Sequence, residues 1–145
     1  DWEGHYWRDL PGLFPEDTVL WNTRPYDFMA KNGEPMRHVY ERMKRAVLEI
    51  VEKNQGKQIC ITSHGCAIRN FLCWAMGKPI EQINEVDWCD NTAVSIIDFN
   101  DAFEPTVVLA NDASHLSGET STFSKQSWWK PENRIKTEWD EEMFQ

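Results

Sequence analysis

Apolar side chains recur at three- and four-residue steps through residues 36–51. Met36, Val39, Met43, Ala46, Val47, Ile50 and Val51 share one face, while Arg37, Glu41, Lys44, Arg45, Glu49 and Lys53 occupy the other. This spacing predicts an amphipathic helix. Pro35 suits its first position, and Asn54 and Gly56 supply stop signals. Residues 58–62 read Gln-Ile-Cys-Ile-Thr, a short and nearly all-apolar run. That is the composition of a strand buried on both faces of a parallel sheet. Ser63-His64-Gly65 breaks the run. Helical spacing returns over residues 67–76, with Ile68, Phe71, Leu72 and Ala75 on one side, until Gly77 and Pro79 end it. Residues 34–76 therefore read helix–strand–helix, the unit of an α/β sheet with helices packed on it.

The flanks are less regular. Residues 1–17 read as loop with one short helix, because Gly and Pro interrupt every apolar group. Residues 22–33 read as a long surface excursion, and the aromatic stretch 21–28 is a candidate lid. Residues 92–99 and 106–110 read as strands. The turn signals Asn100, Asp101 and Pro105 between them suggest an antiparallel edge hairpin. The pattern dissolves after residue 116. The expected organisation is thus one domain over residues 1–116 and a polar, acidic tail over 117–145, either docked through Trp128 and Trp129 or partly mobile.

Composition narrows the function. The 145 residues are 41% hydrophobic and 27% charged, which is ordinary for one globular domain. A net charge of −9 argues against a nucleic-acid partner, since phosphate backbones are bound by clustered Lys and Arg. A small anionic substrate can still bind where cations and backbone N–H groups converge. No apolar run is long enough to span a membrane. Cys60, Cys66, Cys73 and Cys89 include no Cys-x-x-Cys pair, so a reduced cytoplasmic protein without disulfides or zinc is expected.

Ser63-His64-Gly65 is the most informative chemical feature. It stands where an apolar run ends and a helix begins, and in α/β folds ligands bind at the carboxyl ends of strands. The N–H groups of Gly65, Cys66 and Ala67 would point out of the helix N-terminus, which favours anions. His64 could donate to a phosphoryl oxygen, best as imidazolium. The competing reading is a structural histidine that caps the helix or bonds a carbonyl. Arg69, one turn on, could face the site or pair with an acid such as Glu34; the structural pair is preferred. Arg42 reads as a surface ion pair, and His5 and His38 as surface residues. Asp112 and His115 are too few for a metal site, and Asn111-Asp112 reads as a turn.

The order of these features resembles the histidine phosphatase superfamily, in the branch of phosphoglycerate mutases, α-ribazole phosphatases and broad-specificity acid phosphatases. Trp2-Glu3-Gly4 comes first, then Phe14-Pro15-Glu16 and Trp21. Gly33-Glu34 opens a helix bearing Arg42, and Ser63-His64-Gly65 is followed by Ile68-Arg69. Asn91 precedes a strand, and Asn111-Asp112 with His115-Leu116 follow another. The resemblance implies a three-layer α/β sandwich, with a mostly parallel sheet and helices on both faces, incomplete at its N-terminus. It also implies a phosphohistidine intermediate and no metal or other cofactor. His64 would be the second histidine, which binds the phosphoryl group, with Gly65 and Cys66 presenting backbone N–H groups. Ser63, Glu3 and Arg69 would line or support the pocket.

The chain departs from the family pattern in one decisive way. It contains no Arg-His-Gly, the motif that supplies the nucleophilic histidine, and Glu3 does not match the general-acid position. Pro35 also replaces a common Ser. A C-terminal portion of the domain is therefore expected, completed by an N-terminal segment or a second, intertwined copy. Phosphomonoester hydrolysis is the leading function. Mutase-type phosphoryl transfer, a non-catalytic phosphate-binding module and an interaction domain built on Trp128 and Trp129 are the alternatives.

Overall fold

A computed structural model describes residues 1–125 of the chain. Helix α1 (Leu10–Leu13) leads into α2 (Pro15–Thr23), followed by a 3-10 turn at Pro25–Asp27. The long helix α3 (Met36–Lys53) and helix α4 (Gly65–Ala75) come next, then a 3-10 segment at Ile80–Glu85. Strands β1 (Val94–Phe99) and β2 (Pro105–Asp112) form a hairpin, and a short helix α5 (Thr122–Lys125) closes the described part.

The two long helices form where the apolar periodicity places them. Pro35 is the N-cap residue of α3 rather than its first helical residue. Helix α4 begins two residues earlier than expected, and Gly77, at φ 71°, terminates it. Met43 and Val47 of α3 pack against Phe71 and Ala75 of α4. Ile97, Phe99 and Val107 of the hairpin close over the same cluster. A second cluster joins Phe28, Met36, Tyr40, Leu72, Cys73, Ile80, Ile83 and Val86. Each large apolar side chain sealed here contributes about 1.5–3 kcal/mol relative to exposure.

Tyr40 ties the two helices to the chain beyond α4. Its ring is buried, and its hydroxyl donates to the carbonyl of Lys78 at 2.8 Å. Burial also pushes the phenol pKa up, so the hydroxyl stays a donor. Tyr40→Phe is expected to lower stability by about 1 kcal/mol, read as a lower urea midpoint with an unchanged slope.

The N-terminal region is more helical than its Gly and Pro content suggested. Pro15 is the first residue of α2, and Glu16 and Asp17 sit in its first turn, where the helix dipole favours them. Residues 22–33 are not a surface excursion throughout. Phe28 is 6% exposed and belongs to the core.

The expected strand at residues 58–62 does not form. These residues join no ladder among those described, and Ile59 and Ile61 are 42% and 43% exposed. A parallel strand obtains its hydrogen bonds from neighbouring strands, and none of the described residues forms a strand beside this run. The sheet described is instead a two-stranded antiparallel hairpin, with Ile97 opposite Val107 and Phe99 opposite Pro105. Its inner face is covered by α3 and α4. Its outer face carries exposed Val94, Ile96 and Val108. The described residues thus form an α/β fold with one covered sheet face. Trp128 and Trp129 lie outside the described residues. No helix among those described is long and apolar enough to cross a membrane.

Candidate active site

The site is built around the start of α4. His64 is the N-cap residue, in extended conformation at φ −98° and ψ 152°, so its carbonyl takes the first helical bond, from Ile68 N–H at 2.9 Å. Its imidazole makes no capping bond and is exposed. The capping reading of His64 therefore fails. Ser63 beside it is also exposed. The N–H groups of Gly65, Cys66 and Ala67 lie in the first turn, where a helix offers no internal acceptor. A helix start of this kind offers first-turn donors beside an exposed imidazole, a combination of groups that suits an oxyanion.

The Cys66 thiol is turned into the packing rather than offered as a reactive group. Burial pushes its thiol pKa up, and its Sγ lies 3.8 Å from Met36 Sδ. A protonated, buried thiol is a poor nucleophile. A Cβ added to Gly65 would stand 3.9 Å from Cys89 Sγ and the Trp88 ring, which is ordinary contact. The protein's own packing thus tolerates alanine here.

Arg69 neither faces solvent nor pairs with Glu34. It is 5% exposed, and its Nε and Nη2 donate to the carbonyls of Val86 and Ile83 at 2.7 and 2.8 Å. Its guanidinium also lies 4.5 Å from the centre of the Trp88 ring. It is a support for the loop beside the site. Glu34 pairs instead with Arg42, which donates two bonds at 2.9 and 2.8 Å on the surface. Such an exposed pair contributes little stability.

The Trp2-Glu3-Gly4 stretch reaches this site through stacked rings. Trp88 lies against Gly65, and Trp21 stacks on Trp88 with centroids 6.2 Å apart. Trp2 meets Trp21 at 5.7 Å and Phe28 at 4.7 Å. The indole N–H of Trp2 is buried without an acceptor among the described residues. Glu3 itself is exposed, and no contact brings its carboxylate to His64.

Two residues that the sequence reading passed over matter here, Trp88 and Asp90. The only available signal was their place just before a strand. Asp90 is buried, accepts N–H bonds from Asn91 at 2.9 Å and Thr122 at 2.7 Å, and accepts the Ser121 hydroxyl. The Ser121 bond first, and the backbone N–H groups with it, hold its carboxyl below the ordinary 3.8. A depressed folded pKa gives stability that is complete above 3.8 and lost as the pH falls through the folded value. Amide exchange at Thr122, corrected for intrinsic rate, is therefore expected to accelerate below about pH 4, ahead of global unfolding.

His115 Nε2 lies 3.2 Å from the Thr92 hydroxyl, and Asp112 closes a turn onto Ser114. Neither reaches His64 through a contact. A cavity of about 540 Å³ opens at the opposite end of α4, lined by Trp74, Met76, Phe103 and Pro105. It contains none of the candidate residues. The His64 corner is an open surface, so volume is a poorer guide here than donor geometry.

The family model of the histidine phosphatase superfamily (branch 1) matches residues 1–113. The chain belongs to this superfamily. It is 24% identical over 115 residues to phosphoserine phosphatase 1 of Hydrogenobacter thermophilus, covering 79% of this chain and 54% of that protein. The solved structure of Bacillus stearothermophilus YhfR superposes with a TM-score of 0.74 at 23% identity, covering 81% of this chain and 57% of that one. The chain thus spans a little over half the length of these two proteins.

Proposed function

We propose that the protein hydrolyses phosphomonoesters through a phosphohistidine intermediate, with His64 and the N-terminus of α4 holding the phosphoryl group. The observation that carries this reading is the exposed His64 imidazole, without a capping bond, beside the first-turn N–H groups of Gly65, Cys66 and Ala67. Membership of the histidine phosphatase superfamily and the phosphatase relative support it.

In the reaction, a histidine nitrogen attacks phosphorus and the ester P–O bond breaks. The leaving oxygen takes a proton from an acid. Water then attacks the phosphohistidine and releases phosphate. His64 and the helix N-terminus stabilise the charge on the transferring oxygens, without needing a metal or organic cofactor. The nucleophile and the acid come from residues outside this chain, because it contains no Arg-His-Gly.

The same segment, or a second copy, supplies a strand beside residues 58–62 and covers the outer face of the hairpin. That completes a parallel, three-layer sheet. Exposed Ile59, Ile61, Val94, Ile96 and Val108 support this reading, since such surface is normally covered.

The test is a quenched turnover of a labelled phosphomonoester by the full-length protein. Hydrolysis with an acid-labile, alkali-stable label on histidine is expected. No hydrolysis, or an acid-stable label on serine, would reject the proposal.

A further inference from the structure

Between Val86 and Asp90 the chain is pinned at three points. Arg69 Nε donates to the Val86 carbonyl at 2.7 Å, and Asn111 Nδ2 donates to the Asp87 carbonyl at 3.0 Å. Asp90 accepts the Thr122 N–H at 2.7 Å and the Ser121 hydroxyl. The two residues left between these pins, Trp88 and Cys89, are the ones that face the first residue of α4. A Cβ built on Gly65 would lie 3.9 Å from both the Cys89 sulfur and the Trp88 ring. The loop is therefore a buttress for the start of α4.

Two of the pins belong to the body of the fold, Arg69 on α4 and Asn111 on β2. Asn111 is itself held, its N–H donating to the Ser95 hydroxyl at 2.9 Å. The third pin comes from residues 117–125, beyond residue 113, where the family match ends. That segment is a turn braced on itself. The Ser117 carbonyl accepts the N–H groups of Thr120 and Ser121, both at 3.0 Å, and the Ser121 hydroxyl accepts the N–H of Ser124 at 3.2 Å. A buried carboxylate is costly unless donors fill its lone pairs. Asp90 is 7% exposed, and without Ser121 and Thr122 only the N–H of Asn91 would remain to it among the described donors. It would have to turn toward water, and Cys89 and Trp88 would move with it.

We infer that residues 117–125 set the anion affinity of the α4 start, with Ser121 and Asp90 as positioning residues that act through Cys89 and Trp88 on Gly65. The inference rests on the phosphate site proposed at His64 and names a control on that site. Neither side chain takes part in the chemistry. Together they hold the first turn of α4 where its N–H groups meet an anion. Such donors act only when preorganised, and a shift of about 1 Å is enough to lose much of their effect.

Inorganic phosphate, titrated into the full-length protein and followed at the amide resonances of Gly65, Cys66 and Ala67, tests this. Ser121→Ala is expected to weaken phosphate binding roughly three- to tenfold, at a temperature where its melting curve shows it fully folded. Ser121→Thr, which keeps the hydroxyl, should bind as the unaltered protein does. Asp90→Ala should weaken binding at least as much as Ser121→Ala. A merely structural bond would lower the melting temperature and leave the affinity of the folded protein unchanged. That result in Ser121→Ala overturns the inference, whether or not Asp90→Ala folds. Equal weakening in Ser121→Thr overturns it too, because the hydroxyl would then not be the cause. If phosphate moves the three resonances and Ser121→Ala binds normally, only the control by residues 117–125 is wrong. If phosphate leaves them unmoved in the unaltered protein, the site proposed at His64 is wrong and the inference goes with it.

Discussion

His64→Ala is expected to lower kcat/KM for phosphomonoesters by about 10²- to 10³-fold while leaving thermal stability within about 0.5 kcal/mol. The two halves of that expectation have separate physical sources. The imidazole is exposed and makes no capping bond, so the folded state loses no contact when it goes. In the proposed site, by contrast, the charge developing on the transferring phosphoryl oxygens loses a donor. Removing one such preorganised donor typically costs about 2.7–4 kcal/mol of transition-state stabilisation. His64→Asn, which keeps a donor of similar reach, should recover part of the rate. A fall in melting temperature that parallels the loss of activity would show that His64 is structural after all. Full activity in the alanine variant would remove it from the site.

Arg69→Ala has the opposite signature, a large loss of stability. The guanidinium is buried and makes two bonds to the carbonyls of Val86 and Ile83, besides lying over Trp88. A hydrogen bond to a charged group contributes about 1.5–3 kcal/mol, and truncation leaves both carbonyls without this donor. A loss of about 3–5 kcal/mol is expected, measured as a lower midpoint in urea denaturation. Arg69→Lys should recover little, because one ammonium cannot reproduce the fork that spans two carbonyls three residues apart. A loss below about 1 kcal/mol would mean that the 3-10 segment Ile80–Glu85 is held by its apolar contacts alone. The variant should also loosen Trp88, visible as a red shift and quenching of tryptophan emission before unfolding begins.

These two residues show how differently neighbouring positions can be read. His64 could be singled out in the sequence because its signal is local. A histidine followed by glycine between an apolar run and a helix start has few settings, and its order among the other motifs narrowed them further. Arg69 was not legible. Its sequence neighbours left two options, a pocket cation or a partner for Glu34. Its actual partners are carbonyls 14 and 17 residues away in a segment without periodicity. Glu34 is taken by Arg42, eight residues further on, at the exposed surface. Trp88 and Asp90 stayed hidden for the same reason. One acquires its role from Gly65, and the other from Ser121 and Thr122, 31 and 32 residues downstream.

The chain's own pattern determined the elements whose stability is a matter of short-range spacing. The α3 and α4 helices follow from apolar residues every three or four positions and from Pro35 and Gly77 at their ends. The hairpin follows from two β-rich runs around Asn100 and Asp101. The start of α4 follows from His64 and Gly65, which open the helix. Only the tertiary structure decided what those elements meet. Residues 58–62 have the composition of a buried strand, yet a strand exists only with a neighbour to bond, and none stands beside them among the described residues. The aromatic cluster near the start of α4 likewise exists only because Trp2, Trp21 and Trp88 are brought together from three separate segments. Periodicity is a property of one segment and can be read from it, whereas a pairing partner or a packed neighbour is a property of two.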